Sequence, residues 1–113
     1  MNFQFVLDSA IYVYTQDCPT GVIPFAQFQE KEGVSYVIPQ EKAKGVPYTY
    51  PCRSIQIKAT TTLDAVGITA KVSDVLASAN IPCNVIAAYY HDYFLVPLAL
   101  GEKALGLLEQ HLS

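Results

Sequence analysis

His91 and Asp92 are the pair in this chain best suited to moving a proton, because imidazole titrates near neutrality and a carboxylate can orient it. Adjacent residues in a tight turn point apart and into solvent, which leaves the pair a weak basis for acid-base catalysis. The three thiols Cys18, Cys52 and Cys83 are odd in number and lack CxxC spacing, so they signal neither a disulfide framework nor a zinc site. Cys52 and Cys83 lie in apolar strand contexts and read as small buried hydrophobes. Cys18, in a loop before Pro19, is the thiol expected to react. No Ser-His-Asp set, P-loop, dinucleotide fingerprint or carboxylate-and-His cluster at metal spacing is present. The chain is expected to bind rather than to react, with no metal and no cofactor.

Composition limits what it can bind. The 113 residues are 51% hydrophobic and 15% charged, which excludes a disordered chain and predicts one compact domain, 1–113, with a core of its own. A net charge of -3 and singly scattered Lys and Arg give no footprint for phosphate, so neither nucleic acid nor an anionic membrane is an expected partner. Apolar runs such as Val85 to Tyr90 fall far short of the roughly 18 residues that cross a bilayer. Met1 leads into Asn2-Phe3-Gln4 with no basic segment and apolar signal core, and a cytoplasmic protein is expected.

The elements that must position any site follow from periodicity. Phe3 to Leu7 and Ala10 to Tyr14 read as strands, and Gln16 to Gly21 as a loop by its turn chemistry. Phe25 to Gln29 and Val34 to Ile38 read as a hairpin turning at Glu32-Gly33 and stopped by Pro39. Gln40 to Lys44 reads as a short helix ended by Gly45 and Pro47. From Arg53 to Ala59, Ser54, Gln56 and Lys58 alternate with Ile55, Ile57 and Ala59, predicting a strand with one core face and one solvated face. A helix capped by Thr62 or Asp64 follows, its stripe made by Ile68, Val72, Val75, Leu76 and Ala79, with Asn80 and Pro82 as its stop. Asn84 to Tyr90 and Tyr93 to Val96 read as strands joined at His91-Asp92, and Glu102 to His111 as the last helix. The order predicts an α+β fold, a ferredoxin-like antiparallel sheet with helices on one face, completed by a strand from the first half. Val37-Ile38-Pro39 before Glu41 to Gly45 echoes Leu95-Val96-Pro97 before Glu102 to Gly106, which suggests a duplicated plan.

Asp64-Ala65-Val66-Gly67-Ile68 resembles the Asp-x-Pro-Gly-x-Leu loop of the ACT domain, and Ile81-Pro82-Cys83-Asn84-Val85 is similar to its Gly-Ile-Asn-Ile strand entry. Val66 stands where that loop has proline, which makes it less rigid. Pro24-Phe25-Ala26, Glu32-Gly33, Val37-Ile38-Pro39 and Tyr89 to Pro97 extend the resemblance to small proteins built from two fused ACT-like units, here 1–50, a degenerate unit, and 51–113. The resemblance implies a regulatory or sensor module that binds a small molecule, an amino acid or a similar metabolite, at Leu63, Asp64, Val66, Gly67, Ile68, Thr69, Asn84 and Val85. It also implies a homodimer. Physical chemistry agrees with that location: Gly67 lets a ligand approach the backbone, first-turn N–H groups are free for a carboxylate, Asp64 can pair with an ammonium, and Asn84 offers both donors and an acceptor. Each residue also has a plain structural use, Asp64 as a cap, Gly67 for helix packing and Asn84 in tying down a loop. Two rival readings are a protein-protein assembly module with no metabolite, and a small hydrolase or isomerase using His91.

Overall fold

The spine of the molecule is a ten-residue strand, β5 (Thr49–Lys58), in which Ile55 and Ile57 are buried on one face and Cys52 and Ser54 on the other. The computed structural model describes residues 3–58 and 67–113. On one edge β5 pairs antiparallel with two strands in line, β1 (Gln4–Leu7) along Ile55 to Lys58 and β2 (Tyr12–Thr15) along Thr49 to Cys52. On its other edge runs β7 (Asp92–Pro97), flanked by β6 (Asn84–Ala87). Beyond β2 lie β4 (Gly33–Pro39) and then β3 (Ala26–Glu30), giving the order β3-β4-β2-β5-β7-β6. This is the expected α+β, ferredoxin-like arrangement, and β1 is the strand that the first half contributes to the second.

Local chemistry explains the two breaks in this pattern. Between β1 and β2, the Asp8 carboxylate accepts from the Ala10 N–H at 2.9 Å and from the Tyr12 hydroxyl at 2.6 Å, a side-chain turn that takes the chain out of the ladder. In β5, two residues, Tyr50 and Pro51, lie opposite the single residue Val13. Pro51 has no N–H to give the ladder, so a bulge absorbs it, and Tyr50 is turned to φ 58°.

The bulge folds the sheet over on itself. Phe25, just before β3, meets Tyr93 of β7 with ring centroids 5.0 Å apart, although β4, β2 and β5 lie between them in the sheet. A flat sheet would separate those rows by about 19 Å. The two halves therefore face each other across Tyr12, Val37, Cys52 and Leu95, with Tyr14, Phe25, Tyr50 and Ile86 packed around them. The strand alternation predicted a solvated face at Ser54 and Gln56, but Ser54 is only 2% exposed because the other half-sheet covers it.

The outer face of the second half carries the helices α1 (Ile68–Ser78) and α2 (Gly101–Leu112), which bury Val72, Leu76, Ala104, Leu108 and Leu112 against Ile55, Ile57, Phe94 and Val96. Each such large side chain contributes about 1.5–3 kcal/mol by leaving water. Over the first half, Val13 and Ile38 are covered instead by Cys18, Val22, Ala43 and Val46. The helix expected at Gln40 to Lys44 is a single 3-10 turn, Gln40–Lys42, after which Gly45 at φ 76° diverts the chain. Pro97 is followed by a similar turn, Leu98–Leu100, that continues into α2.

The N-cap position of α1 is Gly67, at φ 87°, and the expected caps Thr62 and Asp64 lie outside the described residues. Two expectations about the last hairpin are corrected. The β6–β7 reversal is at Tyr89-Tyr90, closed by the Ala88 N–H donating to the His91 carbonyl at 3.0 Å, and not at His91-Asp92. Asp92 belongs to β7, opposite Ala87. The aromatic run Tyr89-Tyr90 has strand propensity, but closure of the hairpin places it at the tip, 75% and 77% exposed.

Candidate functional site

Gly67 gives α1 an unusual start. Its left-handed backbone favours glycine, and among the described residues a Cβ built there meets nothing within 4 Å and no side chain caps the helix. The first intrahelical bond is the Lys71 N–H to the Gly67 carbonyl at 3.1 Å, so the N–H groups of Ile68, Thr69 and Ala70 have no intrahelical acceptor. The first turn carries no acidic residue to satisfy them. Gly67 and Thr69 are exposed, whereas Ile68 turns inward against the core under α1. Three N–H groups without an intrahelical acceptor, at the positive end of a helix, are a geometry suited to a carboxylate.

Leu63, Asp64 and Val66 lie outside the described residues. Asn84 and Val85 open β6, an outer strand of the sheet, and successive side chains take opposite faces. Val85 lies opposite Phe94 on the helix face and is partly exposed. Asn84 lies opposite Leu95 on the inner face, where its side chain comes near enough to the Tyr14 hydroxyl of the other half-sheet to favour that group's ionised form.

Tyr14 is half-buried there and Asn84 is exposed. Burial raises the Tyr14 hydroxyl above its ordinary pKa, with the neighbouring Cys52 acting in the same direction and the Asn84 amide opposing them. Burial also lifts the thiols of Cys52 and Cys83 to about 11. Tyr50 packs its ring edge on Tyr14 at 5.9 Å, and its hydroxyl is buried without a partner among the described residues. These thiols are hydrophobic filling, as their strand contexts predicted for Cys52; Cys83 is only half-buried.

His91 and Asp92 are not brought together as an acid-base pair would be. No hydrogen bond joins them among the described residues, and the His91 ring sits 6.2 Å from Tyr93, edge on, with Nδ1 buried and unpartnered. The feature that sequence missed is a recess of about 370 Å³ in the first half, walled by Tyr14, Thr15, Asp17, Ser35, Pro47 and Tyr48. Its residues come from three separate stretches, and only the abundance of tyrosine hinted at a surface of this kind.

A family model described as the ACT domain matches residues 48–110, and a second model with the same description matches residues 2–53. No curated protein matches the chain. Among solved structures, a possible transport protein of unknown function from Vibrio cholerae is 30% identical, with 96% of this chain and 88% of that chain covered and a TM-score of 0.84. The ligand-free regulatory subunit of aspartate kinase from Thermus thermophilus is 12% identical over 96% of both chains, with a TM-score of 0.71. The aspartate kinase of Clostridium acetobutylicum, an allosteric enzyme, is 14% identical over 94% of this chain and 33% of that one, with a TM-score of 0.73. At such identities the likeness to the last two shows the fold alone.

Proposed function

This chain belongs to the ACT domain family, and on that footing we propose that it is a regulatory module whose signal is a small molecule, an amino acid, held at the start of α1. The observation that carries this reading is the helix entrance at Gly67, where three N–H groups lack an intrahelical acceptor and, among the described residues, no side chain caps the helix and none would meet a Cβ built on the glycine. The ligand carboxylate takes the N–H groups of Ile68 and Thr69, Asp64 pairs with its ammonium, and Leu63 and Val66 flank it. Val85, on the helix face at the head of β6, supplies the facing wall, and Asn84, on the other face of that strand, is contributed by a second copy. The two ACT-like units we assign, 1–50 and 51–113, share β5 and lie in one compact domain.

Binding acts by selection between packings: a ligand that prefers one arrangement of the units, or of two copies, shifts the population by the ratio of its affinities for the two. Among the described residues no helix is long and apolar enough to cross a membrane, and the cytoplasm is the setting we propose. The second reading, assembly without a metabolite, is favoured by one observation, the exposed Tyr89, Tyr90 and Val85 along an outer strand. Thermal-shift measurement against the common amino acids separates the two. A rise of several degrees with one of them, abolished in Asp64→Ala or Asn84→Ala, supports the sensor; silence toward every amino acid leaves the assembly reading.

A further inference from the structure

The recess in the first half is distant in sequence from the α1 entrance, and it has its own chemistry. Tyr14, Thr15 and Asp17 approach it from the end of β2, Ser35 from β4, and Pro47 and Tyr48 from the lead into β5. The Thr15 hydroxyl donates to the Pro47 carbonyl at 2.8 Å and accepts from the Asp17 N–H at 3.0 Å, which ties the first stretch to the last. The walls are therefore held before anything binds. Asp17 spends its backbone on this tie, while its carboxylate has no hydrogen-bond or ion-pair partner among the described residues.

Two tyrosines line the same recess as Asp17. Tyr14 is braced edge-on by Tyr50, and the Tyr48 hydroxyl accepts from Gln40 Nε2 at 3.2 Å, which leaves the Tyr48 ring, 45% exposed, as an open wall. A second recess of about 260 Å³ shares Asp17 and Ser35 and adds Glu30 and Glu32. Among the described residues, no Lys or Arg lines either recess, although Lys31 stands in the turn between Glu30 and Glu32. An anion has nothing to pair with here. A metal ion is equally unsuited, because among the described residues no three carboxylate, His or Cys groups come close enough to hold one. A carboxylate that shares a small, partly apolar recess with two tyrosines is a recognition set for an organic ammonium.

We propose that the recess formed by Tyr14, Asp17, Pro47 and Tyr48 is a second binding site, one for a small organic amine that carries no carboxylate. Its ammonium sits at Asp17, its hydrocarbon lies on Tyr14, Tyr48 and Pro47, and Glu30 and Glu32 raise the local concentration of cations at the mouth. This site stands apart from the one at α1, and either can exist without the other.

The test is calorimetric titration of the full chain with butylamine and 1,4-diaminobutane, with succinate as an anion of the same length. Saturable heat with the amines and none with succinate is expected, weakened about tenfold in Asp17→Asn, since a charged hydrogen bond is lost. The unliganded melting temperature of that variant stays at the wild-type value, because the carboxylate holds nothing in the fold. Amide chemical shifts give a readout that needs no variant: with amine they move at residues 14–17 and 47–49. The proposal is overturned by the absence of amine binding at millimolar concentration, by equal binding in Asp17→Asn, or by shifts centred on Gly67 to Thr69, which would place the amine at the α1 entrance instead.

Discussion

Cys52 is fully buried between the half-sheets, and burial moves its thiol from an ordinary 9.0 to about 11; Cys83 moves the same way for the same reason. The sign of the consequence follows from proton counts. Below the unfolded pKa both states keep the proton and stability does not depend on it, while between 9 and 11 the unfolded chain ionises and the folded one does not. Stability is thus lost as pH rises through that window. Urea midpoints measured at about pH 8.5 and about pH 10 should fall with pH in the wild type and fall less in Cys52→Ala. An unchanged slope in that variant would show that Cys52 is not shielded as the packing requires. At this scale sequence was informative about Cys52, whose apolar neighbours imply burial, and uninformative about Asn84, whose neighbour Tyr14 is seventy residues away.

Among the elements, α2 distinguishes two glycines that look alike in sequence. A Cβ on Gly101 would come within 3.0 Å of Arg53 Cγ and 3.1 Å of Arg53 Cβ, because the helix begins hard against β5. Gly106 faces open space in the middle of the same helix. Gly101→Ala should therefore cost about 1–3 kcal/mol through overpacking, while Gly106→Ala should gain about 0.5–1 kcal/mol from lower chain entropy and better helix propensity. Chemical denaturation of the two variants checks both signs. The apolar stripe of α1 and its stop at Asn80, which adopts φ 58°, were both readable from residue type. The start of α1 was not, since Thr62 and Asp64 have better capping side chains than Gly67, and only backbone direction put glycine at that position.

For the whole molecule, the outer edge of β6, unpaired among the described residues, and the tyrosines at its hairpin tip are the surfaces that a second copy would cover. Edge strands without charge or proline invite pairing, and Asn84 to Ala87 has neither. In sedimentation experiments the wild type should run as a dimer, and the double variant Tyr89→Ser, Tyr90→Ser should weaken that dimer about tenfold or more with little change in the denaturation midpoint of the monomer. A monomeric wild type would remove the homodimer, and with it the Asn84 contribution, from the proposed function while leaving the α1 entrance in place.

The sequence by itself determined the kinds of element and their order, because alternation and the helical stripe record which side of each segment avoids water. It also carried the family, through the Asp64 to Ile68 stretch and the strand entry at Ile81 to Val85. Only the tertiary structure decided that the sheet closes on itself at Tyr50-Pro51, burying Ser54, bringing Asn84 near Tyr14 and assembling a recess from three distant stretches. Periodicity says that a face is apolar or polar; it does not say which two faces meet, and that is set by a bulge whose cause is one missing backbone N–H.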